Sequence, residues 1–178
     1  MSDMPLSHTW AMRLWFLVLC AVIIFFHLMP LETTPRNWAP PDLLIAFILA
    51  WALRRPDYVP ALSVAAVILM ADLLFQRPPG LMALLVVLGC EFLKSRANSH
   101  GETSFIVEWF NVCVVIAGIT VLDRLILTMT LVDRAPLSLH LIQMVLTMAI
   151  YPLAAFVTQT LLGVRRPSPG NSDALGNR

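Results

Sequence analysis

Six apolar runs occupy most of this chain, at approximately 11–29, 41–53, 57–75, 79–93, 105–129 and 138–162, and each is closed by proline, glycine or charge. That pattern fixes the solvent before anything else. A hydrocarbon core asks for about 20 apolar residues per crossing helix, and backbone groups inside it must be satisfied internally. The runs are continuously apolar rather than alternating, so helices are required and a barrel is excluded. Composition agrees, since 13% of the residues are charged and 58% hydrophobic, against about 25% charged in a soluble domain. The fold class expected is all-α, a polytopic membrane bundle of six transmembrane helices in one domain spanning 1–163. Residues 164–178 are polar and rich in Pro, Gly and Ser, and read as a disordered cytoplasmic tail.

The first run is as long as a full span and has no small-residue cleavage site before Pro30, so it reads as a retained helix rather than a signal peptide. The second, "PPDLLIAFILAWAL", is short for a crossing; Trp38 and Trp51 are expected at the interfaces, with Arg54 and Arg55 snorkelling. A re-entrant hairpin is its rival. With six spans and an inner N-terminus, eight cations (Arg13, Arg54, Arg55, Lys94, Arg96, Arg165, Arg166, Arg178) fall on the cytoplasmic side. Three (Arg36, Arg77, Arg134) fall outside, and Arg124 lies within a span. Five spans with an outer N-terminus score the same, so the C-terminus is cytoplasmic on either reading.

Ionisable residues inside such runs are expensive and usually face the bundle interior or water. Asp72, His27, Asp123 and Arg124 all fall toward the outer ends of their helices. Together they suggest a polar cluster in which Asp72 or Asp123 neutralises Arg124; the alternative is that each simply reaches the interface. Pro78-Pro79-Gly80 cannot continue a helix and makes a compact turn, so the third and fourth helices form a tight hairpin with Asp72 and Arg77 at its rim. Pro41-Asp42 reads as a helix start, with Asp countering the dipole, or as a partner contact. Glu91 and Glu108 sit at inner helix ends: Glu108 is favoured by the helix dipole, and Glu91 is spaced to pair with Lys94. Ala46/Ala50 and Ala61/Ala65 are small-residue pairs that permit close helix approach.

Several function classes find no support. Cys20, Cys90 and Cys113 are scattered through apolar runs, which is neither a disulfide framework nor a metal spacing. There is no metalloprotease, serine-hydrolase, P-loop or dinucleotide motif, and His8, His100 and His140 lack neighbours that would make them bases or ligands. The net charge of +1 and the absence of a basic-aromatic stripe argue against nucleic acid. No enzyme activity, cofactor or metal is expected; membrane lipids are the one partner composition implies.

Three stretches, "PRNWAPPDLLIAFILAW", "RRPDYVPAL" and "ADLLFQRPPGLMAL", carry a likeness to a known family. They resemble MreD, the small membrane subunit of the bacterial rod-shape (cell elongation) machinery. "FIVEWFNVCVV" fits it more loosely. Pro41, Asp42, Asp72, Gly80 and Leu81 take the family's motif places, while Gln76 stands where the family often has Gly. The resemblance implies a non-enzymatic inner-membrane subunit binding MreC-type partners, and through them MreB filaments, RodA and its transpeptidase. It also implies a fold similar to the six-helix substrate-binding subunit of energy-coupling-factor transporters, which holds a small ligand near the outer face. A small-molecule or lipid-binding transporter subunit is therefore the competing expectation, and an intramembrane enzyme the third.

Overall fold

The computed structural model describes residues 6–29, 39–99, 104–129 and 137–162. The tail at 164–178, Trp38 and Arg134 lie outside the described residues. The chain forms α1 (Leu6–Leu28), α2 (Leu43–Arg54), α3 (Ala61–Leu74), α4 (Leu81–Ser99), α5 (Phe105–Met129) and α6 (Leu137–Leu162), with a 3-10 turn at Pro56–Tyr58. No strand occurs among the described residues. The all-helical class expected from the apolar runs is what forms.

Three helices, α1, α5 and α6, are long and apolar enough to cross a membrane. Their outward residues include Phe25, Phe26, Ile106, Phe110 and Phe156, all exposed. In water such a surface is an association liability, whereas lipid covers it at no cost. The shorter α2 and α3 have 12 and 14 residues, about 18 and 21 Å at ~1.5 Å per residue. α4 runs six residues beyond the expected end at 93. Charge alone does not stop a helix, and Lys94 is accommodated by the expected i,i+3 pair with Glu91 at 2.9 Å.

The core is organised around α2. Every residue from Leu44 to Arg54 is buried, the signature of a helix apolar on all sides and enclosed by others. It packs against α4, α6 and α1. This overturns the expected interfacial placement of Trp51, which is fully buried with its ring 5.5 Å from Phe16 and 5.4 Å from Phe47. It also overturns the snorkelling of Arg54, which is only 7% exposed. The reason is topological: the chain surrounds α2 with other helices, so neither side chain has an interface to reach.

α2 and α6 run parallel in a single register. The Asp42 amide donates to Thr147 Oγ1 at one end, and Arg54 NH1 donates to Gln159 Oε1 at the other, both at a separation of 105 residues. The α2–α3 connection is tied by cations from its neighbours. Lys94 Nζ donates to the Val59 carbonyl, and Arg13 donates through Nε and NH2 to that of Asp57. Arg13, Arg54 and Lys94, all counted above as cytoplasmic charges, thus also hold structure.

Pro152 lies inside α6, where its missing N–H would orphan the carbonyl four residues earlier. That carbonyl, of Met148, accepts from the indole N–H of Trp109 at 3.0 Å. An α5 side chain thereby satisfies the backbone group that the proline frees. At apolar depth an unsatisfied carbonyl costs several kcal/mol in order of magnitude.

Candidate functional site

The bend between α3 and α4 is built on an unusual pair of backbone conformations. α3 closes with the Arg77 N–H bonded to the Asp72 carbonyl at 2.9 Å and the Gln76 N–H to the Leu73 carbonyl at 3.4 Å. This is the Schellman pattern, which places the residue after the cap in the left-handed region. That residue is Gln76, with φ +55°. The motif place where the resembled family often carries Gly therefore does take glycine geometry, and glutamine bears the strain. Gly80 closes the bend at φ +88°.

Asp72 is buried, 1% exposed, because it serves the next helix. Gly80 sits just before α4 and has no side chain to cap it. Asp72 Oδ2 instead accepts from the Gly80 N–H at 3.1 Å and the Ala83 N–H at 3.4 Å. A carboxylate there satisfies otherwise orphaned donors and complements the helix dipole. The expected pairing of Asp72 with Arg124 does not occur. The carboxylate is committed to the hairpin, and its other oxygen is buried without a hydrogen bond.

Beside this bend a cavity of about 290 Å³ opens between α2, α4, α5 and α6. Asp42 and Ile45 line it from α2, Arg77 and Pro78 from the bend, and Leu81 and Met82 from α4. Asp123 and Arg124 reach it from α5, and His140 and Gln143 from α6. Between them lie apolar walls of Ile116, Ile119 and Met144. Of the residues singled out in the sequence, the cavity gathers Asp42, Arg77, Pro78, Leu81, Asp123, Arg124 and His140. Asp72, Gly80, Pro41 and His27 are not in its lining. His27 is exposed and packs its ring 4.6 Å from that of Phe75, so the four-residue cluster expected at this end is divided.

Asp42 is the N-cap of α2: its Oδ1 accepts from the Ile45 N–H at 3.1 Å. Pro41 therefore precedes the cap rather than opening the first turn. The remaining oxygen, Oδ2, faces Arg77 NH1 at 3.9 Å, too far for a hydrogen bond. Arg77 lies over the Phe75 ring, 5.3 Å from its centroid. Asp123, Arg124 and His140 are each engaged in interactions of their own.

A second polar centre was not read from the sequence. Arg54 Nε approaches Glu108 Oε1 at 3.4 Å, and Tyr151 Oη donates to the same oxygen at 2.9 Å. With the Arg54–Gln159 bond, it joins α2, α5 and α6. Glu108 is in the first turn of α5 as expected, yet it is 5% exposed, and the dipole is only part of its setting. The available signal was its company: Phe105, Ile106, Val107 and Phe110 are exposed apolar neighbours in the same turn, so the carboxylate enters at apolar depth and needs a cation. Among the described residues no group of three or more His, Cys, Asp or Glu could hold a metal ion.

Comparison with protein-family models, curated proteins and solved structures found no match.

Proposed function

We propose that this chain is a non-enzymatic, multi-pass inner-membrane subunit of the bacterial cell-elongation complex. All six helices cross the membrane in the manner of the substrate-binding subunit of energy-coupling-factor transporters. The C-terminus is cytoplasmic, and the bend between α3 and α4 lies on the periplasmic side. In this role it binds an MreC-type partner and helps couple MreB filaments to peptidoglycan synthesis by RodA and its transpeptidase.

One observation supports the reading. The first and third of the stretches that resemble MreD meet at one end of the bundle. Asp72 caps the helix that Gly80-Leu81 opens, and Arg77 of the same bend lies 3.9 Å from the Asp42 that caps α2. A motif whose parts gather at one end of the bundle offers a continuous surface there, which suits a binding subunit. Depleting the chain from its rod-shaped host is expected to round the cells, and mild-detergent extraction is expected to recover a single-span MreC-type protein with it. Rods that persist without the chain, together with a purification lacking such a partner, overturn the proposal.

The cavity favours a second reading, a small-molecule or lipid-binding membrane transporter subunit. Its volume of about 290 Å³ is near the lower bound for ligand pockets, roughly 300–1,000 Å³, and its lining mixes apolar walls with a few convergent polar groups. A ligand retained through purification with cell shape unaffected by depletion decides for this reading over the first.

A further inference from the structure

We propose that the cavity beside the α3–α4 bend binds a phosphate–ammonium zwitterion of phospholipid-headgroup size, taking the anion on Arg77 and the ammonium on Asp42. The proposal rests on the cavity being a ligand site, and it is independent of whether the chain serves cell elongation.

Two adjacent groups of opposite charge hold unused hydrogen-bonding capacity on the cavity wall. Arg77 carries five N–H donors in a planar fork. Among the described residues it donates none of them to protein: it faces the ring of Phe75, approaches Asp42 at 3.9 Å and lies within electrostatic reach of the Asp72 carboxylate. Its side chain remains 32% exposed. Asp42 uses one oxygen to cap α2, while among the described residues Oδ2 has only the same long approach to Arg77. A pair at 3.9 Å is beyond hydrogen-bonding range and partly wet, so little is lost when a ligand enters between its members. The fork of an arginine fits a phosphate bidentately, and a free carboxylate oxygen accepts from an ammonium.

Charge balance narrows the class. Among the described residues the lining holds two carboxylates, Asp42 and Asp123, two guanidiniums, Arg77 and Arg124, and one imidazole, His140. A ligand of net negative or net positive charge would leave one sign of that lining uncompensated in a poorly solvated space. A zwitterion matches both. The cavity's roughly 290 Å³ equals about ten waters at ~30 Å³ each, room for a headgroup with its glycerol but not for a whole lipid. The apolar walls of Ile116, Ile119 and Met144 suit the carbon skeleton between the charged ends. A bilayer headgroup and a free phosphoethanolamine ester share this chemistry.

The full-length chain, delipidated in detergent, would be titrated by native mass spectrometry with dioleoyl-phosphatidylethanolamine and, separately, with dioleoyl-phosphatidylglycerol. Binding of the ethanolamine lipid is expected to be about tenfold tighter, the scale of one charge-assisted hydrogen bond. Arg77→Gln and Asp42→Asn should each erase that preference; the asparagine keeps the α2 cap, since Asn is as good an N-cap as Asp. Thr120→Phe fills the cavity without touching its charges, and should remove binding from a chain whose melting temperature is otherwise retained. Competition by soluble glycerophosphoethanolamine identifies a free ester as sufficient; competition only by the intact lipid assigns the bilayer as the source. Equal or tighter binding of phosphatidylglycerol overturns the proposal, as does a preference indifferent to all three substitutions. A different retained ligand that Thr120→Phe expels also overturns it, while leaving the general ligand-binding reading standing.

Discussion

The two ends of α2 carry polar centres made of the same residue types and finished to different degrees. At the Arg54 end, guanidinium, carboxylate, phenol and amide interlock across α2, α5 and α6, with Arg54 and Glu108 both nearly inaccessible. At the Asp42 end, a guanidinium and a carboxylate stand 3.9 Å apart on the wall of a cavity. The first arrangement can hold only one register of three helices. The second spends nothing on register, because Thr147 already fixes α2 against α6 there. Burial with complete partners marks a structural centre, and proximity with spare donors and acceptors marks a place for something else.

Breaking each centre in turn tests that contrast most strongly. Glu108→Ala leaves Arg54 buried without its carboxylate, and removing one member of a buried ion pair costs about 3–5 kcal/mol. Arg77→Gln, at a partly exposed long pair, should cost less than about 1 kcal/mol. Unfolding of the purified chain in detergent measures both; comparable losses from the two substitutions would show that the ends are not differently built. Glu108→Gln should fall between, since an amide oxygen still accepts from Tyr151 and Arg54.

The wall between the two ends offers a smaller effect. Gly89 of α4 faces α5 so closely that an added Cβ would lie 2.7 Å from Val115 Cγ1 and 3.3 Å from Ile119 Cδ1. Gly89→Ala should destabilise by about 1–3 kcal/mol, the range for overpacking. Val115→Ala in the same chain should return part of the loss by vacating the contested space. If Gly89→Ala is neutral by thermal unfolding, α4 and α5 are less tightly apposed than the structure has them, and the cavity they flank is correspondingly less defined.

What was legible in the sequence was mostly what one helix decides alone. Run lengths and breakers located all six helices, and the turn chemistry of Pro78-Pro79-Gly80 located the hairpin. Asp42 at a helix start and the Glu91–Lys94 pair also follow from local spacing. Asp72 was recognised as anomalous, but its partners are amides eight and eleven residues on, across a bend whose geometry only the fold supplies. The burial of Arg54 and Trp51 was illegible for a different reason. A short apolar helix ending in arginines reads as a span reaching for the interface, and nothing within it says that α1, α4 and α6 pack around it. Glu108 meeting Arg54 is a contact across 54 residues, which no periodicity encodes.

The smallest effect concerns the bend that carries Arg77, and its sign is opposite. A side chain in the left-handed region costs roughly 1–2 kcal/mol, and Gln76 occupies it at φ +55°. Replacing it with glycine removes that cost but adds backbone freedom to the unfolded chain, worth about 0.5–1 kcal/mol against folding. Gln76→Gly should therefore stabilise by about 0.5 kcal/mol, a difference of the two terms. Gln76 is exposed and absent from the cavity lining, so the substitution should leave any preference between lipids unchanged. A stabilised chain with unaltered binding separates the bend's backbone role from the Arg77 side chain it presents. A destabilised chain would mean that the glutamine side chain, and not the backbone pattern, holds α3 against α4.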